Sequence, residues 1–198
     1  MLLTSTPIVN EAVVFNSEDF HQGIYETDPH FYQLFDIAGK QGLAIALNVL
    51  ATDPSSDFSL PIVARIDHRM LGFLYAYPLR EMFSRQSYSL RKFISLSDNP
   101  RALRPALAAL ASSKGKFNCQ NSYYLARVYV SPDERGTKVG ELLMSFYEAK
   151  AIAQGMTALS LHVRTENIRA QRFYSRLGFE FSDDLNSGYL SMEKKLDD

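Results

Sequence analysis

The chain has 198 residues, 46% of them hydrophobic and 22% charged, and 21 Lys+Arg against 22 Asp+Glu give a formal net charge of -1 at pH 7. A length of the order of one domain and this apolar content fill one core and exclude global disorder. The near-neutral balance leaves no whole-molecule field to hold nucleic acid or an anionic membrane, and the single cysteine, Cys119, excludes an internal disulfide framework and a cysteine-rich zinc site.

In chain order, Met1 to Thr4 shows no basic run followed by a long apolar one, so no secretory leader is expected. Ala12–Phe15 is expected as an edge strand, and Ser17 as the cap of a helix with Phe20, Ile24 and Tyr25 on one face. Asp28-Pro29 starts a second helix, with Phe31, Leu34 and Phe35 at helical spacing until Gly39. Gly42 to Leu50 reads as a third helix, apolar nearly all round and therefore buried. The longest apolar stretch, Leu43 to Ala51, is interrupted by Asn48 and falls far short of the roughly 20 residues that span a bilayer. No membrane or nucleic-acid partner is expected, and the cytoplasm is the expected compartment. After the loop Asp53–Asp57, a strand at Leu60–Ile66, a turn at Asp67-His68-Arg69 and a strand at Met70–Tyr77 predict a hairpin that Pro78 ends. Residues 79–121 carry helical stretches at about 80–95 and 99–112, the second opened by Asn99-Pro100 or by Pro105. An excursion this long between strands reads as a helical insertion within a single domain spanning residues 1–198.

From Ser122 the pattern sharpens. Tyr123 to Ser131 alternates, with Tyr124, Ala126, Val128 and Val130 on one side. Arg135 to Gly155 is a predicted helix whose stripe is Val139, Leu142, Leu143, Phe146, Ala149 and Ala153. Leu159, Leu161 and Val163 mark a further strand, and Ile168 to Leu177 a helix with Ala170, Phe173, Tyr174 and Leu177 on one face, closed by Gly178. Gly188 to Leu196 is the last strand. Strand, helix, strand, helix and strand behind a hairpin predict an α/β protein with a mixed sheet.

The chemistry concentrates in Val130-Ser131-Pro132-Asp133-Glu134-Arg135-Gly136-Thr137-Lys138-Val139-Gly140. Pro132 stops a strand, two glycines let the backbone turn, and a helix begins whose first amides lack internal partners at the positive end of its dipole. With Arg135 and Lys138 beside them, these amides form an anion site suited to phosphate or pyrophosphate. Neither the GxxxxGK[ST] nor the GxGxxG spacing is present. The histidines, His21, His30, His68 and His162, have no ligand spacing, so no metal is expected.

Two motifs in order carry a resemblance. The loop Arg135-Gly136-Thr137-Lys138-Val139-Gly140 is similar to the [Q/R]-x-x-G-x-[G/A] loop of the GNAT N-acetyltransferase superfamily. Asn167 followed by a helix that ends in Phe173-Tyr174-Ser175-Arg176-Leu177-Gly178-Phe179 resembles its second motif. The resemblance covers residues 60–77 and 122–196, and Lys138 stands where the family has its central loop glycine. It implies the GNAT acyl-CoA N-acyltransferase fold, a central mixed sheet with two splayed parallel strands flanked by helices.

It further implies acetyl-CoA as co-substrate and transfer of its acetyl group to a primary amine by direct attack. Backbone groups of Val128, Tyr129 and Val130 would hold the pantetheine arm as an added strand does, and the amides from Arg135 through Gly136, Thr137, Lys138 and Val139 to Gly140 would hold the pyrophosphate. Asn167 would bond the cofactor arm or cap the next helix, and Tyr174 would protonate the departing thiolate. Arg169, Arg172 and Arg176 lie on the same helix as groups for the ribose phosphate, and His162, Glu26, Asp28 and Glu81 are alternative bases. Acceptor identity stays open, since the architecture serves many amines; a homodimer is the assembly that analogy with relatives implies. The competing reading is a non-catalytic acyl-CoA-binding or sensing module, which Lys138 and the lack of an obvious base favour.

Overall fold

The computed structural model describes residues 6–11, 18–27, 46–96, 101, 103–112, 117–184 and 188–196. Its elements are β1 (Ile8–Glu11), α1 (Glu18–Thr27), β2 (Ile62–Ile66), β3 (Arg69–Pro78), α2 (Met82–Ser95), α3 (Leu103–Ser112), β4 (Ser122–Val130), α4 (Val139–Ala153), β5 (Ala158–Arg164), α5 (Ile168–Arg176), β6 (Glu180–Asp184) and β7 (Tyr189–Lys195). The strands form one seven-stranded sheet in the order β1-β2-β3-β4-β5-β7-β6, with β4 and β5 parallel and every other pair antiparallel. This is the mixed α/β architecture expected from the sequence.

The first strand is Ile8–Glu11, ahead of the Ala12–Phe15 run, which with Ser17, Asp28 and the Phe31–Phe35 stretch lies outside the described residues. Residues 46–51 are helical, but Asn48 and Val49 are exposed while Ala46, Leu47 and Leu50 are buried. The segment is amphipathic rather than buried all round. The hairpin forms as expected, its turn carried by Asp67 at a φ of 53°, a left-handed position that Asp tolerates. Residues 79–121 contain α2 and α3, and Pro105 falls in the first turn of α3, where its missing amide breaks no helical bond. β6 was not anticipated, because Glu180-Phe181-Ser182-Asp183-Asp184 offers one apolar residue to an edge position.

Each sheet face has its own core. On one face Val139, Leu143 and Tyr147 of α4 and Tyr174 of α5 pack over Leu71, Leu74, Tyr123, Leu125, Leu159 and Leu161. On the other, Phe20 and Ile24 of α1, Leu47, Leu50 and Phe93 of α2 cover Val63, Phe73, Tyr75 and Tyr129. The buried stripe of α4 is Val139, Leu143, Met144, Tyr147 and Ala151, turned from the expected one, so Leu142 and Ile152 face solvent. The helix is apolar almost all round, and from its buried face the Tyr147 hydroxyl donates to the Tyr123 carbonyl at 2.5 Å.

Candidate active site

Parallel pairing between β4 and β5 runs over four positions only, from Ser122 opposite Ala158 to Leu125 opposite Leu161. Beyond them β4 continues to Val130 and β5 to Arg164 without pairing to each other. The other edge of β4 is irregular at the same point. There Tyr75 faces Arg127 and Ala76 faces Leu125, so Ala126 is an extra residue, a β-bulge that bends the strand where the two part. The bulge also reverses the alternation. Val128 and Val130 pack on the α4 side, whereas Tyr124 and Ala126 pack on the other, so the single stripe expected from the sequence is split.

The gap is flanked by the edges of β4 and β5 that no longer pair with each other. The Ser131 amide donates to the Leu71 carbonyl at 2.9 Å. By the alternation of an antiparallel ladder, Tyr129 then exchanges its bonds with Phe73, and the amides and carbonyls of Val128 and Val130 turn into the gap. Tyr129 therefore offers no backbone group there, contrary to its expected part in holding the arm. Its ring instead stacks on Phe73 at 5.4 Å.

At the open end of the gap lies the loop 131–138. Gly136 has a φ of +87°, a conformation for which glycine is suited. Thr137 donates through its hydroxyl to the Glu134 carbonyl at 2.6 Å, and Glu134, buried beneath the loop, pairs with Arg69 at 2.7 Å. Arg135 reaches back to the Val130 carbonyl at 3.1 Å. The amides of Gly136, Lys138, Gly140 and Glu141 have no acceptor among the described residues and cluster at the N-terminus of α4. Lys138, the helix cap residue, has an ordinary φ of -85°, so its Cβ adds no backbone strain. Gly140 has a packing role as well: a Cβ there would lie 3.3 Å from the Phe173 ring of α5.

Tyr174 is buried in the α4-side core, its ring 5.5 Å from Phe173 and 5.8 Å from Phe179, and its hydroxyl makes no hydrogen bond among the described residues. Burial, with a smaller contribution from Tyr124, pushes its pKa well above 10, so it is a protonated donor at neutral pH. Asn167 caps α5, accepting from the Ala170 amide at 3.1 Å. Arg172 and Arg176 line an open groove on the exposed side of α5 together with Ile168, Gln171 and Ser175.

On the opposite face, at the root of the gap, stands a group that sequence reasoning saw only through His162. The Tyr124 hydroxyl is 3.1 Å from His162 Nδ1, and Gln86 of α2 donates to the Tyr77 hydroxyl at 3.1 Å. Phe117 covers both, and Tyr124 is pushed up to about 12 by burial. The missed members come from β3, α2, β4 and the 117–121 segment; the only sequence signal was a polar residue at 162 in an apolar strand.

Burial holds His162 down to about 4. A base that weak takes a proton from an ammonium of pKa 7.7–8.0 at a cost of about 5 kcal/mol, which disfavours His162 as the amine's base. Glu26 is bonded by Gln22 and Arg135, Glu81 is paired with Arg85 at 2.8 Å, and Asp28 lies outside the described residues. The depressed imidazole has a consequence for stability. Its folded-state pKa lies below the unfolded 6.5, so its contribution is fully present above pH 6.5 and lost as pH falls from there through 4. The Gln variant of this residue, His162→Gln, is expected to lose about 2–3 kcal/mol less than the parent between pH 7 and pH 4.5, read by urea unfolding at both. Equal losses would exclude His162 as a source of acid sensitivity.

Residues 21–179 match the family model described as acetyltransferase (GNAT) family. The chain is also similar to solved structures: to an acetyltransferase at 19% identity and a TM-score of 0.63 (96% of this chain, 100% of that one), and to the protein named SsHAT at 16% and 0.69 (98% and 100%). A third is the PaiA N-acetyltransferase of Thermoplasma acidophilum in complex with coenzyme A, at 15% identity and a TM-score of 0.53 over 97% of this chain and 100% of that one.

Proposed function

The chain belongs to the acetyltransferase (GNAT) family, and from that premise we propose that it transfers an acetyl group from acetyl-CoA to a primary amine by direct attack. The observation that carries this reading is the gap itself: pairing that stops at Leu125 and Leu161, with four unclaimed amides at its open end and Tyr174 beside its root.

The residues present suit the coenzyme. The amides of Gly136, Lys138, Gly140 and Glu141, with the Lys138 ammonium, would take the pyrophosphate, and Val128 and Val130 would hold the arm by strand addition. Asn167 serves as a helix cap and leaves its amide nitrogen for the arm. Arg172 and Arg176 are the groups for the ribose phosphate. When bound, acetyl-CoA supplies a thioester carbon and a thiolate leaving group. Tyr174 would give its proton to the sulfur as the C–S bond breaks and the neutral acceptor nitrogen bonds to that carbon, and the proton the nitrogen then sheds to solvent would balance the one the phenol regains. A thiol pKa of about 8.5 makes modest donation sufficient. With no strong base at the root among the described residues, the favoured acceptor is an amine substantially neutral near pH 8, an α-amine rather than a lysine side chain. Cys119 plays no part: its sulfur lies 3.4 Å from the Thr157 hydroxyl, just ahead of the paired ends of β4 and β5 and away from the open end of the gap. A cytoplasmic enzyme is the setting that this reading assumes.

Thermal unfolding with and without acetyl-CoA tests it, alongside Lys138→Glu. Ligand at about 100 times its dissociation constant adds about 2.7 kcal/mol to the parent. Reversing the exposed charge of Lys138 is expected to weaken binding on the order of tenfold, about 1.4 kcal/mol, without lowering the unliganded melting temperature. Turnover is then screened with alanine amide, Nα-acetyl-lysine amide, spermidine and tyramine. Binding without turnover of any of them would favour the sensing module, and no shift in the parent at millimolar acetyl-CoA would sink both.

A further inference from the structure

Phe117 is buried at the gap's root on the face opposite Tyr174, its ring 4.6 Å from His162 at 27° and 5.9 Å from Tyr124 at 66°. It is carried there by a segment that Glu193 of β7 grips from a distance in sequence. One carboxylate oxygen accepts from the Asn118 amide and side-chain nitrogen, both at 3.0 Å; the other accepts from the Cys119 amide at 2.9 Å. Glu193 stands opposite Ser160 and Ser191 opposite His162, so these four side chains share one face of the sheet.

Within that group the His162 ring is held by one hydrogen bond among the described residues. Its Nδ1 meets the Tyr124 hydroxyl, whereas Nε2 is buried with no partner among the described residues, as is the Ser191 hydroxyl beside it. With one bond, the imidazole is free to swing about its Cβ–Cγ axis unless something packs on its face. Phe117 is what packs there. The orientation of the Tyr124 hydroxyl is therefore linked to the grip on Asn118 and Cys119.

We propose that Glu193 is a positioning residue for acyl transfer: its clamp on Asn118 and Cys119 seats Phe117 on His162, and His162 so seated aims the Tyr124 hydroxyl at the acceptor end of the gap. This rests on the acyl-transfer reading. Glu193 itself touches no reacting atom. A carboxylate is required because three donors converge on it, and a carboxamide in its place turns an NH₂ toward one of them.

The test uses the full chain with Glu193→Gln and, to keep the clamp while removing the ring, Phe117→Leu. In the unliganded parent, ¹⁵N imidazole spectra should show His162 as one neutral tautomer down to about pH 4; in both variants the tautomers average and the ring titrates nearer 6.5. With the panel amine of highest kcat/KM, both variants should raise the amine KM about fivefold or more and keep the parent's acetyl-CoA thermal shift. Unchanged imidazole spectra overturn the clamp. Altered spectra with an unchanged amine KM overturn its role in the reaction. A parent that shows no acetyl-CoA shift overturns the acyl-transfer reading, and the positioning role falls with it.

Discussion

Replacing Tyr174 by Phe is expected to lower kcat by about 10²- to 10³-fold while the acetyl-CoA thermal shift stays at the parent's value. General acid catalysis contributes typically about 10²- to 10⁴-fold, and the lower half of that range applies because a thiolate is already a tolerable leaving group. The substitution is clean. The ring packs on Phe173 and Phe179, which a phenylalanine reproduces, and the lost hydroxyl has no bond to any described residue. Deleting an unbonded hydroxyl leaves nothing unsatisfied behind, so unfolding free energy should hold or rise slightly. Burial keeps the phenol protonated throughout the neutral range, so the parent's kcat should show no basic limb from Tyr174 below pH 9. Rapid-quench or thiol-release kinetics at saturating acetyl-CoA read the effect. A variant within about threefold of the parent in kcat would remove Tyr174 from the chemistry and leave it as packing.

Why the α5 end of the site was legible and the opposite face was not follows from how each is encoded. Asn167, Tyr174 and Gly178 sit within a dozen residues, each in a position its own chemistry demands: a cap that bonds the Ala170 amide, a phenol on the inner face, and a glycine at a φ of +88°. Short-range rules find such residues. The 131–138 loop was legible for the same reason, although its helix begins at Val139 rather than Arg135, because Arg135 and Thr137 close turns of their own. The Ala126 bulge left no trace. β4 is covered by helices on both faces, so Tyr-Tyr-Leu-Ala-Arg-Val-Tyr-Val is apolar in either phase, and a one-residue slip costs the pattern nothing. Yet that slip turns Val128 and Val130 into the gap. The face opposite Tyr174 is assembled from Tyr77, Gln86, Phe117, Tyr124 and His162, which no local periodicity relates. Asp57 was hidden differently, in Asp53-Pro54-Ser55-Ser56-Asp57, a run whose composition says only loop. Arg127, an unexplained charge in an apolar strand, was the one sign of its partner.

That pair carries the second large expectation. Arg127 should not tolerate an apolar replacement alone: Arg127→Met is expected to cost about 3–5 kcal/mol of stability, whereas Asp57→Leu combined with Arg127→Met should recover most of it. Arg127 Nη1 meets Asp57 Oδ2 at 2.6 Å, with both side chains nearly sealed from solvent, and the guanidinium lies 4.1 Å over the Phe58 ring. The Asp57 amide is itself held by the Ser89 hydroxyl at 3.2 Å, so the carboxylate cannot easily turn outward when its partner is lost. A buried charge left alone is the expensive species, and removing both charges relieves it. Urea unfolding of the two single variants and the double variant isolates the coupling. Arg127→Lys should fall between, since an ammonium restores the charge but not the flat contact with Phe58. The outcome bears on function because Arg127 follows the bulge directly, where β4 leaves β5. If the double variant regains stability and keeps the acetyl-CoA shift, the ion pair is an anchor for the 53–60 loop and the gap is set by the bulge alone. If stability returns but the shift does not, the pair helps hold β4 apart from β5, and the gap depends on a charge buried on the face opposite to Tyr174.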